Sequence, residues 1–294
     1  MFKTDILLTK IKGYKQKYYF CVMQILKQLL NFYINSSIHV ALAVYSLIRI
    51  TEFYYQLPYN EPLDYFIFYG TITGYNFVKY AGVAKLHHRG LTTNLKVIQV
   101  FSFVCFLFMC YYGVSLPFKT ILLFVPLGIL TLLYAVPVLS GFQKNLRSIG
   151  YLKVVVVAFV WSIVTVVLPL YETKLVFNVN LILILLQRFL LVIVLILPFD
   201  IRDMQYDAIT LHTIPRKIGV KKTKIIGIFL LFICVSIELI LNVNYKFFAL
   251  FFVMFMFLSV LLMKASEKQV KYYSSFWVES VPFFWWISIL YFVK

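Results

Sequence analysis

The chain has 294 residues, of which 62% are hydrophobic and only 13% charged, with a mean hydropathy of +0.89. No water-soluble domain of this length needs so much apolar surface, which excludes a soluble globular enzyme and indicates a polytopic membrane protein. The formal net charge of +17 would suggest a nucleic-acid partner in a soluble protein. In so apolar a chain it reads instead as basic loops that hold helices at a membrane surface, and no nucleic-acid binding is expected.

Residues 1–33 form the first element. Leu7, Ile11, Tyr14, Tyr18, Val22, Ile25 and Leu29 recur every three or four positions with lysines between them, which predicts a basic amphipathic helix lying in the cytoplasmic interface. This stretch is basic and interrupted, and no cleavable signal peptide is evident in it. Residues 34–294 form the second, a nine-helix transmembrane domain, all-α, with spans at 35–51, 63–80, 96–116, 119–139, 152–170, 179–198, 224–242, 245–263 and 276–293. Each span is long enough to cross a bilayer as a helix. Threading these spans back and forth places 22 of the 28 Lys and Arg residues on one side and five on the other, with Arg188 inside a span. The positive-inside bias then sets the N-terminus in the cytoplasm and the C-terminus outside. With no transit peptide evident, a multi-pass protein of a prokaryotic inner membrane is expected.

Cys21, Cys105, Cys110 and Cys234 form no CxxC pair, and they read as small apolar residues rather than disulfides or metal ligands. His39 and the His87–His88 pair lack the spacing and acidic partners of a metal site. Arg188 lies near the middle of span 6 and Glu238 at a similar depth on span 7. An intramembrane arginine rarely faces lipid, so the two are expected to approach each other in the bundle.

The chemistry concentrates at the end of span 6. Asp200, Asp203 and Asp207 fall within eight residues in a chain with only eleven acidic side chains. On a helix, positions i, i+3 and i+7 share one face. Carboxylates gathered at the end of an apolar span are costly unless a cation occupies them, and a divalent metal that carries a phosphorylated substrate is the natural occupant. After them come Thr213, Pro215 and Gly219 in a Thr-x-Pro-x-x-x-Gly turn.

This aspartate-rich element with its turn resembles the second signature of the UbiA superfamily of intramembrane prenyltransferases. The resemblance implies nine helices around a cavity that faces the cytoplasm, with carboxylates holding Mg²⁺, which in turn holds the diphosphate of an isoprenoid donor. It assigns Asp200, Asp203 and Asp207 as catalytic, metal-binding residues, and it implies a prenyl diphosphate and a lipophilic acceptor as partners within the membrane lipid. The first family signature, Asn-x-x-x-Asp-x-x-x-Asp, is degenerate here. Asn76 aligns, but Tyr80 and Ala84 stand where the family has aspartates. Asp64 cannot replace them, being roughly 18 Å away along a helix. Around this motif Asn76, Lys79 and Tyr80 are expected at the substrate, and Lys79, Lys85, His87, His88 and Arg89 could hold a diphosphate directly. Arg202 joins the substrate-binding set. A Tyr134-Ala135-Val136-Pro137 turn closes span 4 and is followed by Lys144, Arg147 and Lys153. These three basic residues are expected near the donor phosphates, as the family implies.

Two functions remain open at the level of sequence. One is Mg²⁺-dependent transfer of an isoprenoid chain to an acceptor. The alternative is a catalytically degenerate UbiA-like membrane protein that binds a lipid or a partner without turnover. A transporter would show broken midplane helices and repeated halves, and neither is evident.

Overall fold

The computed structural model describes residues 20–86, 93–135, 150–173, 178–205, 213–241 and 244–293. Among them every regular element is helical. Helix α1 (Phe20–Asn35) bends by 57° into α2 (Ile38–Tyr54). Ser37, at the bend, is left-handed with φ 63°. Helices α3 (Glu61–Leu86), α4 (Thr93–Val114) and α5 (Phe118–Ala135) follow. Then α6 (Gly150–Ser162) runs through a π-helical turn at Ile163–Val167 into the short α7 (Leu168–Glu172). Helix α8 (Val179–Asp203) is started by Asn178, whose side chain accepts the Leu181 N–H, as an N-cap should. The short α9 (Ile214–Ile218) meets α10 (Val220–Ile240) at Gly219. Helix α11 (Tyr245–Lys264), a second π-helical turn (Tyr273–Val278) and α12 (Val281–Phe292) complete the chain.

Helix α8 is the axis of the bundle. It packs against α6, α10 and α11, and Leu191, Val192, Val194 and Leu197 along it are all but fully buried. A helix apolar all round belongs in a core or a membrane. The outer surface is as apolar as the core. Phe103, Leu107 and Tyr111 on α4, Phe229 and Phe232 on α10, and Val253, Met256 and Val260 on α11 are exposed. A continuous apolar exterior over a core that contains buried charges is the arrangement lipid demands.

Among the described residues, five segments are long and apolar enough to cross a membrane: Leu95–Val114, Gly150–Glu172, Val179–Asp203, Val220–Ile240 and Tyr245–Lys264. Counting the bent α1–α2 pair as one span makes six. Helix covers most of the described residues in each of the nine expected spans, but the remaining ones fall short on length or composition. Helix α3 carries Glu61, Asp64, Asn76, Lys79 and Lys85, while α5 and α12 have 18 and 12 residues.

The midsection holds a buried polar network. Arg188 donates to Leu47 O at 2.9 Å and to Thr51 Oγ1 at 3.2 Å. Thr51 in turn donates to Thr165 O at 2.7 Å, inside the first π turn. Glu238 accepts from Gln187 Nε2 at 2.7 Å and from Tyr54 OH at 2.9 Å. Arg188 and Glu238 are thus gathered into one region, but Gln187 and Tyr54 supply the contacts to the glutamate where a direct ion pair was expected.

Candidate functional site

Helices α3 and α8 end, and α6 and α10 begin, at the same end of the bundle. Pro198 sits inside the last turns of α8, and the helix continues to Asp203, so Asp200 and Asp203 lie one turn apart on one face. Asp200 is fully buried. From the first turn of α6, Lys153 places Nζ 3.0 Å from Asp200 Oδ1 and 3.7 Å from Asp203 Oδ2. Arg202 grips Asp203 Oδ1 through Nη2 at 2.7 Å and Nε at 2.8 Å, a geometry the planar guanidinium favours. Its guanidinium also lies 5.3 Å from the centre of the Phe199 ring. Arg216 of α9 donates to Met204 O at 2.7 Å, which ties the Thr-x-Pro-x-x-x-Gly turn to the end of α8.

Helix α3 contributes Asn76 and Lys79. Asn76 is buried, accepting from Ser37 Oγ at 2.8 Å and donating to Ser36 O at 2.9 Å and Ser102 Oγ at 2.7 Å. Its amide is therefore engaged on both sides and holds the α1–α2 bend against α3 and α4. Tyr80 donates to Asn35 O at 3.0 Å and serves the same bend. Lys79 donates to Ser37 Oγ at 2.9 Å, and its charge lies in electrostatic range of Glu279 and Arg202.

Glu279 is the residue that sequence reasoning passed over. It follows the second π turn, where its N–H bonds Ser274 O at 3.2 Å, and it faces Lys79 and Arg202 electrostatically. The available signal was an acidic residue inside an apolar span, which is a functional candidate by position alone. His39 anchors the same π turn: its Nε2 lies 2.9 Å from Phe276 O and 3.1 Å from Ser280 Oγ. Of the other expected site residues, Asp207, Lys144 and Arg147 lie outside the described residues, as do His87, His88, Arg89 and the side chain of Lys85.

Among the described residues the site therefore sets three cations, Lys79, Lys153 and Arg202, near three carboxylates, Asp200, Asp203 and Glu279. Trp161 Nε1 donates to Tyr75 OH at 2.9 Å, in the aromatic layer beneath. Among the described residues no group of three or more His, Cys, Asp or Glu side chains is arranged to hold a metal ion. Magnesium is served by one or two carboxylates together with substrate phosphates and water. Asp200 and Asp203 fit that requirement in donor type and number, once Lys153 and Arg202 turn to a phosphate.

No protein-family model, no curated protein and no solved structure matches this chain. Fold and site together define a multi-pass α-helical membrane protein with a partly exposed charged cluster around the buried Asp200 at one end of its bundle.

Proposed function

We propose that this chain is a UbiA-like intramembrane prenyltransferase, which moves an isoprenoid chain from a prenyl diphosphate to a lipophilic acceptor with Mg²⁺. The observation that carries the reading is the meeting of Lys79, Lys153, Arg202, Asp200 and Asp203, from three helices far apart in sequence, at one end of the bundle. In this reading α2, α3, α5 and α12 complete nine spans. The lysine and arginine bias sets the charged end in the cytoplasm of a prokaryotic inner membrane.

The chain's own residues divide the work. Lys153 and Arg202 release Asp200 and Asp203 and take up diphosphate oxygens, joined by Lys79 from the facing helix. Asp200 and Asp203 would hold Mg²⁺, which when bound supplies neutralising charge to the leaving diphosphate. Tyr75 and Trp161 offer aromatic faces toward an allylic cation, and the surrounding helices keep water from it. Among the described residues the site's three cations face three carboxylates, so diphosphate and Mg²⁺ are expected to bind together.

Thermal unfolding of the detergent-purified protein with geranylgeranyl diphosphate tests this. Stabilisation of roughly 2–6 °C is expected only when Mg²⁺ is present, and it should vanish in Asp203→Asn. Stabilisation that ignores Mg²⁺, or that survives in the variant, would overturn the reading. A second reading, a binder without turnover, is favoured by the ion pairs that already engage both aspartates and by the fully bonded Asn76 amide. It predicts no stabilisation by any prenyl diphosphate and no transfer.

A further inference from the structure

A second charged cluster lies at the opposite end of the bundle, independent of the proposed transfer. Arg49 and Glu52 are near the end of α2, and Asp64 is in the first turn of α3. Asp64 is 0% exposed and Glu52 3%. The Arg49 guanidinium donates to Glu52 and reaches Asp64 Oδ2 at 3.4 Å; it lies 4.3 Å from the centre of the Tyr59 ring. The two carboxyl groups also come within hydrogen-bonding reach of each other.

Two carboxyl groups thus share one guanidinium, and no amide, hydroxyl or cationic donor among the described residues reaches the buried Asp64 Oδ1. Helix capping does not explain Asp64. The Leu63 N–H is taken by Asn60 Oδ1 at 3.2 Å, and the Asp64 N–H by Asn60 O at 3.0 Å. The positive end of α3 favours an anion nearby, but it brings no donor to Asp64 Oδ1. Glu52 also lines a cleft of about 440 Å³ that opens to the outside between Tyr59, Asn60, Glu61, Glu172 and Thr173. Glu172 there is engaged by Thr120.

We propose that the Glu52–Asp64 pair binds one monovalent inorganic cation, sodium, reached through this cleft. A single positive charge balances the excess of two carboxylates over Arg49, and an uncompensated charge buried here is costly. The donors on offer are oxygens, which suit a hard cation.

The test is the unfolding midpoint of the full-length protein in detergent, with choline chloride exchanged for sodium chloride at constant ionic strength and pH. A saturable rise of roughly 2–6 °C is expected. It should be lost in Asp64→Asn and kept in both Glu61→Gln and Asp200→Asn. Should Asp64→Asn not fold, Glu52→Gln takes its place, and binding of radioactive sodium to the unaltered protein should saturate at one ion per chain. No sodium-specific rise, or a rise that persists in Asp64→Asn, overturns the proposal. Stability that follows pH but ignores sodium would assign a shared proton instead and overturns it equally.

Discussion

Two polar regions are buried along α8, and they are built differently. Around Arg188 and Glu238 the charges are held by neutral groups: backbone carbonyls, Thr51, Gln187 and Tyr54. Around Asp200 and Asp203 the carboxylates touch cations directly, and those cations are lysine and arginine side chains on separate helices or at a helix end. A charge fixed by neutral donors has no competing partner and cannot exchange. A carboxylate paired with a flexible cation can trade it for a metal while the cation turns to a phosphate. The midsection therefore suits a structural role, and the end cluster suits the ligand-binding role proposed for it.

The largest effect should come from the midsection. Glu238→Leu strands the Tyr54 hydroxyl and leaves the Gln187 amide with Cys234 O alone, and it removes the acidic group nearest Arg188, at a cost of about 3–5 kcal/mol. A melt that stays within a degree of the unaltered protein would show that the network does not hold the fold. Glu238→Gln should cost less, because one acceptor oxygen remains. In both variants any diphosphate response should survive in the protein that stays folded.

Lys153→Met comes next. It removes the ion pair to Asp200, with a loss of about 2 kcal/mol, smaller because Lys153 is partly exposed. Asp200→Asn in the same chain should recover much of that loss, since neither charge then lacks the other. Strict additivity of the two changes in a melting series would mean that the pair does not interact. Unlike Glu238→Leu, this change should also abolish magnesium-dependent binding of prenyl diphosphate.

How much of this was legible follows from which distances are local. The period along α8 puts Asp200 and Asp203 on one face, and the structure brings both to Lys153. Periodicity says nothing about which residue of a distant helix arrives there, so Glu279 was invisible as a neighbour of Lys79 and Arg202. Likewise the depth of Arg188 and Glu238 was readable, but the engagement of Glu238 by Gln187 and Tyr54 depends on how α8, α10 and α2 rotate. The span count diverged for a related reason. Asp64 and Asn76 lower the hydropathy of α3 although both are buried, and hydropathy alone cannot see inward orientation.

Gly227→Ala probes the packing that both regions share. A Cβ at Gly227 on α10 would meet Leu262 of α11 and stand 2.9 Å from Leu197 Cδ1 of α8, one turn before Asp200. Both neighbours are leucine methyl groups that can shift, so a cost of about 1–2 kcal/mol is expected. Double-mutant cycles with Glu238→Gln and with Lys153→Met would show which region depends on the α8–α10 spacing. No coupling to either would mean that they are set independently.

Gly219→Ala should have the smallest effect and the most local one. Gly219 joins α9 to α10 with φ 84° and ψ 153°, a conformation open in practice to glycine alone. A Cβ there meets nothing within 4 Å, so the whole cost, about 1 kcal/mol, is backbone strain. Asparagine relieves strain in the left-handed helical region but not at this ψ, so Gly219→Asn should melt no higher than Gly219→Ala. The strain bears on α9, whose Arg216 holds the end of α8 through Met204 O. Magnesium-dependent diphosphate affinity should therefore fall several-fold, while Gly219→Ala and Glu238→Gln add without coupling in the melt. Unchanged affinity would mean that the turn after the aspartates positions nothing, and the cluster would then rest on Lys153 and Arg202 alone.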